Sequence, residues 1–149
     1  MTFKALALTL AAASAVAFAT PAFAADKHNH GDKGHAEKSH FKITPPADVK
    51  AAWVMITESV AAAEAKADAA DESAEKLEVA FHTLEEKSAM VTGEAKTRLA
   101  SVLKQADKAT DAFHHGADEK DATKVAAELK KIKALLPLIE AQYPVGALK

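Results

Sequence analysis

Four imidazoles fall within thirteen residues near the start of this chain, in the run His28-Asn29-His30-Gly31-Asp32-Lys33-Gly34-His35-Ala36-Glu37-Lys38-Ser39-His40. Imidazole is largely neutral near pH 7 and ligates Cu(II), Ni(II) and Zn(II). Asp26, Asp32 and Glu37 add oxygen donors, and the glycines would let the run wrap around an ion. Histidine-rich tracts are a recognised but unspecific metal signal, and a polar spacer has the same composition. A mobile tract must lose about 1 to 2 kcal/mol of conformational freedom for each residue fixed, which suits capture or buffering better than catalysis. Cu(II) would be favoured by the general stability order of divalent ions.

A second set lies further along. His114 and His115 follow Phe113 near the expected end of a helix, where positive charge is favourable against the helix dipole. The same imidazoles could form a surface metal site with Asp68, Asp71 or Asp118 across the end of a bundle, because the ligand types match. His82 flanks a different seam position, and its expected level is about 16 Å from His114, too far for a joint site.

No catalytic arrangement is visible. The serines lack a glycine-framed nucleophile turn, and there is no HExxH pair and no glycine-rich phosphate loop. Without cysteine, thiolate catalysis, thiolate metal sites and covalent haem attachment are ruled out. Carboxylates with neighbouring lysines, such as Glu72 and Lys76, read as a solvated helix face.

The elements that must position these groups follow from the patterning. Met1 to Lys4 carries one positive charge, Ala5 to Ala19 is an alanine-rich apolar run, and Thr20-Pro21-Ala22-Phe23-Ala24 gives a small-x-small cleavage pattern. Residues 1–24 are therefore expected to be a cleavable export signal, directing the chain to the periplasm. The run is short of the roughly 20 residues that span a bilayer, so a retained anchor is the less favoured alternative. Processing would leave 125 residues, with 18 basic against 21 acidic side chains. That size suits one core, and the mixed charge argues against a nucleic-acid partner.

Residues 25–43 have no apolar period and are expected to form a disordered arm. Thr44 is expected to cap the first helix, with Pro45 at its first position. Apolar positions then recur at Val49, Trp53, Ile56, Val60, Ala63, Ala67 and Ala70, and again at Leu77, Phe81, Leu84, Ser88 and Val91. Two more seams follow, Leu99, Val102, Leu103, Ala106, Ala109 and Phe113, then Val125, Leu129, Ile132, Leu136, Ile139 and Tyr143. Four seams predict four helices over residues 44–149, closing as an antiparallel up-down-up-down bundle. Gly93 is expected to stop the second helix and Thr92 to cap the third; Gly116 should stop the third, with Asp118 or Asp121 capping the fourth. Only the polar run Asp68 to Ser73 marks the first break, so one long helix is the alternative there. Pro137 should interrupt a backbone bond inside the fourth helix.

The stretch Ala109 to Tyr143, with its polar loop Gly116-Ala117-Asp118-Glu119-Lys120-Asp121 and its ending Ala141-Gln142-Tyr143, resembles soluble periplasmic four-helix-bundle proteins of the cytochrome b562 and cytochrome c-prime type. The resemblance implies a bundle and an envelope location. It does not carry haem with it: the b-type family uses a methionine early in the first helix and a histidine late in the fourth. Met55 is present, but Lys133 to Tyr143 contains no histidine, and the c-prime attachment needs cysteine. The chain also resembles small envelope proteins associated with metal resistance.

The leading expectation is thus a non-enzymatic periplasmic metal-binding carrier or buffer, with His28, His30, His35 and His40 as ligands and His114 and His115 as a secondary set. The alternatives are an envelope interaction or stress protein that binds a protein partner through a bundle face, and a b-type haem protein using Met55 with His82, His114 or His115. The strict seams would equally suit a homodimer.

Overall fold

The computed structural model describes residues 41–149. The expected signal, and His28, His30, His35 and His40 with it, lie outside the described residues. Within them the protein is all-helical: α1 (Val49–Ala65), a 3-10 turn (Ala67–Ala69), α2 (Ala70–Lys87), α3 (Gly93–Asp118) and α4 (Ala122–Glu140). Successive helices pack on one another, whereas α1 and α4 meet only sparingly. No described helix is long and apolar enough to cross a membrane.

The seams are the core. Val49, Trp53, Ile56, Val60, Leu77, Phe81, Leu84, Leu99, Leu103, Phe113, Leu129, Ile132, Ile139 and Tyr143 are all buried in one cluster. Val102, Val125 and Leu136 are half-buried against that cluster, and Ala67 is exposed within the 3-10 turn. Alanines at 52, 63, 70, 74, 80, 106 and 109 complete the cluster, which brings helix axes close but limits the apolar area buried.

Helix boundaries differ from the sequence expectation at four points. First, α1 begins at Val49, capped by Asp48, whose Oδ1 accepts from the Ala51 amide at 2.8 Å. Thr44 and Pro45 cap nothing. Thr44 precedes proline, which disfavours the helical region, and two consecutive prolines hold the chain extended. Second, α1 stops at Lys66, which is extended at φ −147° and ψ 123°, ahead of the polar run expected to mark the break. No breaker residue demands this. The chain reverses because the seams on either side must be buried together.

Third, α2 ends at Lys87, well before Gly93, and Gly93 instead opens α3 with φ +60° behind Thr92. Thr92 holds the cap position without a side-chain bond. Fourth, Gly116 does not stop α3. The helix runs on to Asp118, and its left-handed terminating residue is Lys120 at φ 55°. The Asp121 amide donates to the Gly116 carbonyl at 2.9 Å and the Lys120 amide to that of Ala117 at 3.0 Å, the paired closure of a Schellman ending. Gly116 sits where α4 packs closely: a Cβ there would stand 3.2 Å from the Val125 backbone nitrogen. Asp121 is the α4 cap, its Oδ1 accepting from Thr123 and Lys124, both at 3.0 Å. Pro137 lies on the exposed side of α4, and the helix continues through it to Glu140.

Candidate metal centre

The first turn of α2 and the last turns of α3 bring three ligand groups together. Asp71, His114 and Asp118 each offer one donor atom, and the three atoms lie within 4.8 Å of one another. His114 Nε2 is 3.2 Å from Asp71 Oδ1. Only 16% of the His114 side chain and 33% of that of Asp71 is exposed, while Asp118 is exposed.

Each position has a local reason. Asp71 and Glu72 are the acidic pair in the first turn of α2, which has no side-chain cap, and there they face the positive end of that helix. His114 follows Phe113, which is fully buried, so the imidazole is carried to the rim of the core. Asp118 is four residues further on the same helix and shares its face. It is also the residue that local electrostatics does not favour, because a carboxylate at the carbonyl end of α3 opposes the dipole. A cation held between Asp71 and Asp118 would neutralise both. Thr110, one turn before His114, buries a hydroxyl that finds no hydrogen-bond partner among the described residues.

An imidazole and two carboxylates suit a divalent ion with nitrogen and oxygen preference, at bond lengths of about 2.0 to 2.2 Å. Ligand atoms around such an ion stand roughly 3 to 3.5 Å apart. The His114 to Asp71 spacing already meets this, and the exposed Asp118 side chain has the freedom to close the remainder. Three protein ligands leave coordination positions open.

A cleft of about 960 Å³ adjoins the cluster, floored by Ala63, Ala117, Val125 and Leu129 and including Asp68 and Asp71. It opens where α1 and α4 fail to close on each other. Glu64 pairs with Lys133 across it.

The remaining sequence candidates part company here. His115 is exposed and outside the cluster, and Asp68 lines the cleft without joining it. His82 is exposed beside Glu86, its Nδ1 3.7 Å from Glu86 Oε1. Near it, partial desolvation and then Glu85, Asp111 and Glu78 push the Asp107 carboxyl up to about 6, opposed by His82. The sequence offers the carboxylate ligands as a choice among three aspartates; the i,i+4 spacing on α3 joins Asp118 to His114, and the pairing of helix ends that adds Asp71 is tertiary. No family model, curated protein or solved structure matches the chain.

Proposed function

We propose that this chain is a non-enzymatic metal-binding protein of the cell envelope, a carrier or buffer for a divalent transition metal such as zinc, copper or nickel. The observation that carries the reading is the convergence of Asp71, His114 and Asp118 at one helix junction, with the imidazole largely shielded from water. The histidine-rich run His28, His30, His35 and His40 supports it from the sequence as a second, weaker-selecting capture site. Envelope location rests on the export-signal pattern of residues 1–24.

The carrying fold is an up-down-up-down bundle. Three contacts support that order: Lys87 at the end of α2 with Ala47 before α1, Asp71 at the start of α2 with His114 near the end of α3, and Ser88 after α2 with Tyr143 after α4. Short connections between successive helices favour the same arrangement.

Calorimetric titration of the chain with zinc, copper and nickel tests the function, alongside His114→Gln and a variant with His28, His30, His35 and His40 all changed to glutamine. Each variant is expected to lose one class of site and retain the other. Unchanged isotherms for both would overturn the proposal.

A further inference from the structure

The cleft beside the metal cluster takes its walls from all four helices. Ala63 comes from α1, Ala70 and Asp71 from the start of α2, Ala117 from the end of α3, and Val125 and Leu129 from α4. Its floor is aliphatic, and none of its lining residues is aromatic. A volume of about 960 Å³ lies within the range of small-molecule sites, which combine an apolar lining with a few placed polar groups. Asp71 belongs both to this lining and to the cluster with His114 and Asp118, so cleft and cluster are contiguous.

The rim holds Glu64, Asp68 and Asp71 against Lys120, Lys130 and Lys133. These charges balance in number, but they are not equally committed. Glu64 is paired with Lys133. A divalent ion in the cluster would be neutralised by Asp71 and Asp118. Asp68 then faces two lysines, Lys120 and Lys130, and the loaded rim is left with one positive charge beside an aliphatic floor. The three protein ligands also leave at least one of the four positions usual for zinc open to an outside donor.

Resting on the reading of Asp71, His114 and Asp118 as a metal site, we propose that the cleft binds an aliphatic monocarboxylate. Its chain lies on Ala63, Val125 and Leu129, and its head group takes the open position on the metal. A carboxylate is a zinc ligand of the same kind as Asp71 and Asp118, and it brings the single negative charge that balances the loaded rim. The floor selects a flexible chain over a ring, because it offers no aromatic surface for stacking. Metal and carboxylate each raise the affinity of the other by one common factor. The cargo of this end of the bundle is then a metal ion together with an organic anion.

Octanoate is the probe, followed through the carbon-13 resonance of its carboxyl group. It is added to the full chain with His28, His30, His35 and His40 changed to glutamine, with and without one equivalent of zinc. Zinc is expected to tighten octanoate binding about 10-fold, and saturating octanoate to tighten zinc binding by the same factor. Acetate, which has the head group without the chain, is expected to bind at least about 10-fold more weakly than octanoate. Ala126→Trp sets a large ring into the cleft from an exposed position, and should remove octanoate binding while zinc binding is kept. Octanoate binding that is equal with and without zinc, matched by acetate, or unaffected by Ala126→Trp would overturn the proposal and leave the metal site standing. If His114→Gln does not weaken zinc binding, the metal reading itself fails and the proposal falls with it.

Discussion

The two ends of α2 are built from opposite materials. At the C-terminal end Ser88 donates to or accepts from the buried Tyr143 hydroxyl, Val91 is buried in the connection, and Leu148 is tucked under the core. Polar groups there satisfy one another and exclude water. At the N-terminal end the core gives way to Asp71, His114 and Asp118 beside an open cleft. One end therefore serves stability and the other is free to serve chemistry.

That division can be broken by substitution. The largest stability effect is expected from Leu84→Ala, which empties a fully buried position near the closed end and should cost about 2 to 5 kcal/mol in a denaturant melt. Its zinc affinity should not change, and a loss of affinity would show that the ends are not separate. Gly116→Ala comes next. Its new methyl would press on Val125, costing about 1 to 3 kcal/mol, and because it lies between His114 and Asp118 it should weaken zinc binding as well. Tyr143→Phe removes the hydroxyl bonded to Ser88 and is expected to cost about 1 kcal/mol with no effect on metal.

Asp107→Asn, between the two ends, should have the smallest effect and a distinct pH signature. The folded protein holds the Asp107 carboxyl up near 6, above its ordinary 3.8, so ionisation opposes folding. The penalty is absent below about pH 4, grows as pH rises toward 6, and is complete above it. Removing the charge should stabilise the protein only at the upper end of that window. Asp107 is exposed as a residue, which limits the gain to about 1 kcal/mol or less. Urea melts at pH 4 and pH 7 would check this, and an equal gain at both would contradict it.

Which face of each helix is buried is legible in the sequence, because burial selects one apolar stripe and leaves its period in the residue types. Trp53, Phe81, Phe113 and Ile132 all lie where that period puts them. Helix ends are less legible. Thr44-Pro45 matches a helix-start pattern, yet two prolines in succession favour an extended chain. Gly116 matches a helix stop, yet it lies within the helix, where α4 packs closely against it. Lys120 takes the left-handed position that glycine normally holds, and residue type alone gives no sign of it. The candidate site is legible as chemistry but not as geometry. Residue types alone pair His114 equally with Asp68, Asp71 and Asp118; helical spacing brings Asp118 to it, and only the packing of α2 on α3 separates Asp71 from Asp68.

If the open end of α2 serves chemistry, its junction with α3 must hold a divalent metal. A crystal structure of the chain grown with one equivalent of zinc, with anomalous data collected at the zinc edge, would decide this. A single strong peak is expected about 2.0 to 2.2 Å from His114 Nε2 and from a carboxylate oxygen of both Asp71 and Asp118. Density at the histidine-rich run with none at this junction would contradict it.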